Sequence, residues 1–133
     1  MKYLLDTNTC IRYLRDPASR VRRELASRPV ADIFLCSVVL AELYRGARKS
    51  ANPSAGRAAV DAFAAPYTSL PFHDAAADRH AELRVYLERI GKPIGPYDSM
   101  IASIGLVHGL TVVTHNTAEF GRVSGLTVED WEV

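Results

Sequence analysis

Lys2-Tyr3-Leu4-Leu5-Asp6-Thr7-Asn8 sets a short apolar run directly against an acid and two small polar residues. Tyr3, Leu4 and Leu5 leave no polar face, so the run fits a strand covered on both sides. Asp6 then falls at the carboxyl end of that strand, where open α/β sheets bind their ligands. Thr7 or Asn8 can cap the helix that follows. Taken alone, Asp6 is better explained as a turn or cap residue. The rest of the chain has to decide between the two.

Taken in order, the apolar pattern alternates short strands with helices. A helix is predicted over 8–15, and Asp16-Pro17 starts a second one that runs to about Ser27. Asp32 to Cys36 reads as a second strand, and Ser37 caps a helix to about Lys49. The alanine-rich stretch 55–65 is helical, and 67–72 is a third strand that Pro71 assigns to a sheet edge or a strand end. Asp74 caps a longer helix to about Ile90. Pro96 opens another that ends at Gly109 and turns Tyr97, Ile101, Ile104 and Val107 to the core. Leu110 to Thr114 is a fourth strand, 115–121 an irregular turn, and Leu126 to Val128 a short last strand. Strands alternating with helices imply a mainly parallel sheet between helical layers, an α/β fold. With 133 residues and no linker or internal repeat, the expectation is a single domain over 1–133.

Composition removes some functions. No apolar run reaches 18 residues, so no membrane-spanning helix is expected, and no signal peptide is visible. Cys10 and Cys36 lack metal-type spacing and read as buried small residues, which fits a reducing, cytoplasmic setting. His73, His80, His108 and His115 have no zinc-ligand spacing, although His115 falls near the predicted strand ends. Net charge is only +1, but residues 1–30 carry seven basic side chains against three acids. Arg45, Arg48, Lys49 and Arg57 form a second basic group. This asymmetry is compatible with a polyanionic partner, but for most of these arginines a solvated helix face is the better explanation.

Two further acids repeat the setting of Asp6. Glu42 lies inside Val38-Val39-Leu40-Ala41-Glu42-Leu43-Tyr44, an otherwise apolar helical stretch. A buried carboxylate there is costly unless it is paired or bound to a cation. Asp98 stands in the first turn opened by Pro96, where the helix dipole alone can account for it. All three fall on the strand-to-helix side of the predicted sheet, so they can share one crevice. Clustered carboxylates raise each other's pKa unless a cation joins them. An all-oxygen set suits Mg²⁺ or Mn²⁺, which can activate water and steady charge on a phosphoryl group. Metal-assisted phosphodiester hydrolysis follows, with basic surface to hold a nucleic-acid backbone.

Four ordered segments carry a resemblance. They are Leu5-Asp6-Thr7-Asn8, Ala41-Glu42-Leu43 with Gly46, Pro96 to Ala102 around Asp98, and Val113-Thr114-His115-Asn116 leading to Glu119-Phe120. Together they resemble the PIN-domain ribonucleases and, more narrowly, the VapC toxins of bacterial toxin–antitoxin pairs. That resemblance implies a three-layer α/β/α domain cutting RNA, tRNA among the candidates, with Mg²⁺ or Mn²⁺. It also implies a homodimer and a VapB-type antitoxin that blocks the site and carries the pair to promoter DNA. Asp6, Glu42 and Asp98 become the expected metal ligands or water-orienting groups. Many PIN domains carry a fourth acid where this chain has Asn116, and Glu119 is the nearest substitute. Thr7, Asn8, Thr114 and Asn116 are expected near substrate or water.

Two other classes stay open at this point. One is a catalytically idle module of the same fold that binds RNA or protein. The other is a carboxylate-based phosphatase, which would need Lys92 to reach its phosphate.

Overall fold

A computed structural model describes residues 1–133. Its centre is a five-stranded, wholly parallel sheet of β1 (Tyr3–Leu5), β2 (Ile33–Cys36), β3 (Thr68–Leu70), β4 (Thr111–Val113) and β5 (Val128–Glu129). The spatial order is β3-β2-β1-β4-β5, so the winding direction reverses between β1 and β4. At such a reversal the connecting helices leave on opposite faces and a crevice opens above the strand ends. Leu5 lies opposite Val113 across that pair, and the Asp6 amide donates to the Val113 carbonyl at 3.0 Å. The sequence thus carries the acid straight off the strand into the crevice.

The helices are α1 (Thr7–Arg15), α2 (Arg20–Ala26), α3 (Ser37–Lys49), α4 (Pro53–Ala64), α5 (Asp74–Arg89), α6 (Pro96–His108) and the single turn α7 (Thr117–Phe120). Leu4, Leu5, Val112 and Val113 are fully buried between the layers. Each such side chain contributes about 1.5–3 kcal/mol relative to exposure, so the two central strands hold the crevice rigidly. The α6 helix lies close on β4. A Cβ added at Gly105 would meet a Val112 methyl at 2.9 Å. Gly109 then ends the helix at φ 65°, a left-handed cap that glycine adopts without steric cost.

Several expectations are corrected. Helix α2 does not start at Pro17. The Asp16 carboxylate instead accepts from the Ala18 amide at 3.0 Å and holds a turn, and Ser19 caps from Arg20 onward. Ser37 and Asp74 are the first helical residues and not caps; the cap positions are Cys36 and His73, without side-chain bonds. Tyr97 and Val107 are exposed and not in the core. The buried residues of α6 fall between Ser99 and Gly105. The turn predicted over 115–121 contains α7, and the last strand lies at Val128–Glu129. As expected, β3 is an edge strand, and both cysteines are free and buried. No helix is long and apolar enough to cross a membrane.

Candidate active site

Asp6 serves both roles that its sequence context offered. It is the N-cap of α1, accepting the Thr9 amide at 2.8 Å, and it is 2% exposed at the floor of the crevice. Burial pushes its carboxyl pKa up, while the Thr114 hydroxyl and the Thr9 amide and hydroxyl pull it down. Thr9 also donates from its hydroxyl to the Val113 carbonyl at 3.1 Å, fixing the cap to the end of β4. Sequence reasoning passed over Thr9; the second hydroxyl of Thr7-Asn8-Thr9, two residues after the first, was the available signal.

Glu42 comes from the second turn of α3 and is half-buried. The Thr7 hydroxyl donates to its Oε1 at 2.5 Å. Asp98 is held in the first turn of α6 by the helix start at Pro96. Its pKa is raised to about 7, chiefly by burial, then by the Glu119 carboxyl within hydrogen-bonding reach, then by the charges of Asp6, Glu119 and Glu42. Glu119 projects from α7, and the Asn116 side-chain amide donates to its Oε2 at 3.0 Å. Asn116 is itself set by its backbone amide, which donates to the Thr114 hydroxyl at 2.9 Å. The structure therefore brings Asp6, Glu42, Asp98 and Glu119 together from four separate elements. Thr7, Thr114 and Asn116 act around them as supports, and Asn8 is exposed on the rim.

No lysine or arginine forms an ion pair with any of these four acids; the ion pairs of the chain lie elsewhere. Hard oxygen donors, uncompensated negative charge and a carboxyl driven toward its neutral form are what a divalent cation relieves. The donor chemistry of the four acids suits such an ion, although the ligand atoms that lie within 4.8 Å of one another are those of His115, Asp130 and Glu132. His115 lies outside the cluster; it pairs with Asp130 at 2.9 Å on the exposed flank of the crevice. Lys92, the lysine a phosphatase would require, pairs with none of the acids.

The PIN domain family profile matches residues 3–126. The chain is 40% identical over 131 residues to the tRNA(fMet)-specific endonuclease VapC of Shigella flexneri, covering 98% of each. The chain belongs to the VapC group of PIN-domain proteins. Solved VapC-type structures superpose closely on it. The DNA-bound VapBC of Salmonella typhimurium matches with a TM-score of 0.93 at 37% identity, over 98% of each chain. VapBC2 of Rickettsia felis, bound to a fragment of its promoter, matches at 0.90 and 32% identity over 98% and 99%. The three-layer α/β/α fold is therefore that of VapC, and the four acids sit where its sheet changes winding direction.

Proposed function

We propose that this VapC-type chain is a metal-dependent endoribonuclease and the toxin of a toxin–antitoxin pair, acting as one PIN domain over its whole length. The observation that carries the proposal is the convergence of Asp6, Glu42, Asp98 and Glu119 at the β1–β4 crevice with no basic partner. An idle binding module would have no need of four crowded carboxylates, which cost stability unless a cation offsets them.

Asp6, Glu42 and Asp98 are assigned as ligands for Mg²⁺, with Mn²⁺ as a substitute, and Glu119 completes the set through Asp98. When bound, the ion supplies a polarised water and steadies charge on the phosphoryl oxygens. The chain's own residues hold that site in place beforehand. Thr9 and Thr114 orient the Asp6 carboxylate, Thr7 orients Glu42, and Asn116 orients Glu119. Near neutral pH the Asp98 carboxyl, raised to about 7 by burial and the neighbouring acids, is partly protonated. Asn8 and Asn116 face the approach of the RNA.

The relative from Shigella flexneri acts on tRNA(fMet), which makes initiator tRNA the first substrate to test. Solved relatives are VapBC assemblies on DNA, which supports a VapB-type antitoxin and promoter binding through that complex, and the family resemblance adds a homodimeric toxin. The setting is cytoplasmic, where tRNA is found. The test incubates purified protein with labelled initiator tRNA in Mg²⁺, in EDTA, and in EDTA followed by excess Mn²⁺. Cleavage should vanish with chelation and return with the metal. Expressed alone, the wild type should arrest growth and Asp98→Asn should not. Equal arrest by both at matched protein levels rejects the nuclease reading.

A further inference from the structure

Four carboxylates repel the phosphates that a nuclease must bring against them, so the backbone needs cations close to the acids but not paired with them. The structure sorts the basic side chains on this criterion. Arg12, Arg20, Arg28, Arg57, Arg79 and Arg84 are spent in ion pairs. Arg22, Arg23 and Arg122 donate to backbone carbonyls. Arg15, Arg45, Arg48 and Arg89 are exposed and make no ion pair, side-chain hydrogen bond or aromatic contact, and of these Arg15 and Arg45 line clefts that reach Glu42.

Their positions bear on the site. Arg15, in the last turn of α1, stands between two clefts. One, of about 450 Å³, is also lined by Asn8 and Asn116; the other, of about 200 Å³, reaches Glu42. Arg45 lies three residues after Glu42, hence on the same side of α3. It lines a third cleft of about 300 Å³ with Glu42 and the exposed Tyr97. The Thr7–Glu42 hydrogen bond ties α1 to α3, so the placement of both guanidiniums is tied to the acids. A guanidinium can grip phosphate with two parallel bonds, and a free one has no competing carboxylate to displace.

We propose that Arg15 and Arg45 are phosphate anchors that hold an RNA strand across the acid site, one on each side of Glu42. This rests on the nuclease reading above. Both are positioning residues for the reaction and take no part in bond breaking.

The test measures binding of a short fluorescent RNA by anisotropy, in chelator, across a salt series. Wild type is compared with Arg15→Gln, Arg45→Gln and the double variant. Each lost anchor should lower the slope of log affinity against log salt by about 0.7, the value for one single-strand phosphate contact. Arg15→Lys and Arg45→Lys should keep the slope, since a point charge still displaces a counterion. In Mg²⁺ the glutamine variants should raise KM about tenfold and leave kcat within about twofold. Unchanged slopes overturn the proposal, as does loss of slope in the lysine variants. Slopes that persist while antitoxin binding or dimer mass is lost also overturn it, and assign the two arginines to a protein interface. If wild type cleaves no RNA but the slopes fall as stated, the anchors stand and the nuclease reading fails. Cleavage with unchanged slopes sinks the anchors alone.

Discussion

The Thr7 hydroxyl donates to the Glu42 carboxylate at 2.5 Å, joining residues 35 positions apart in sequence. Thr7 follows the capping Asp6 directly, so one turn of backbone fixes two of the four acids. A hydrogen bond to a charged group contributes about 1.5–3 kcal/mol. If that holds Glu42 in its working position, Thr7→Val should lower kcat/KM by about 10- to 150-fold. Thr7→Ser should restore most of it. Steady-state cleavage of initiator tRNA by the three proteins decides the matter, and wild-type rates for Thr7→Val would show that Glu42 needs no such support.

Asp98 sets a pH dependence. Its carboxyl titrates near 7 in the folded chain and near the ordinary carboxylate value of 3.8 when unfolded. Between those values the folded state binds more protons, so metal-free stability is greatest at acid pH and falls as pH rises toward 7. The metal-free melting temperature should therefore be higher at pH 5 than at pH 7. Asp98→Asn should flatten this trend, and saturating Mg²⁺ should reduce it because the ion replaces the proton. A metal-free melting temperature that climbs from pH 5 to pH 7 contradicts the assignment.

Glu119 stands behind Asp98 and is steadied by Asn116. Glu119→Gln should weaken Mn²⁺ binding less than Asp6→Asn, which removes the most deeply buried of the acids. Calorimetric titration of both variants gives the ranking directly. Equal losses would make Glu119 a direct ligand of the same standing as Asp6.

Trp131 closes the chain onto its own beginning. Its ring meets Tyr3 edge-on at 5.2 Å, and the Arg28 guanidinium lies 4.6 Å from the Trp131 ring and 4.7 Å from that of Tyr3. Trp131→Ala should cost about 3–5 kcal/mol, read as a drop in the urea midpoint. A loss under about 1 kcal/mol would mean the carboxyl-terminal segment adds little to the sheet.

Much of the fold is written locally. The apolar runs ending at Leu5, Cys36 and Val113 declare buried strands, because a run without a polar face has to be covered on both sides. Pro96 and Gly109 bound α6 through their own backbone preferences. Asp6, Glu42 and Asp98 stood out as acids in apolar or helix-start settings, which is a property of neighbours in sequence.

Other features depended on distance through space. Spacing could not say whether Tyr97 pointed inward, since the periodicity of α6 continues past the stretch Ser99–Gly105 that the neighbouring elements bury. Nor could it tell that Asp16 would hold a turn and delay α2 to Arg20, because the alternative helix start at Pro17 was locally just as acceptable. The strand order β3-β2-β1-β4-β5 placed the end of β4 beside Asp6 and brought Glu119 to Asp98. It also set the unpaired Arg15 and Arg45 in clefts that reach Glu42. Sequence determined which residues would be costly to bury. Tertiary packing decided which of them would share that cost in one crevice, because charge repulsion and desolvation act through space, not along the chain.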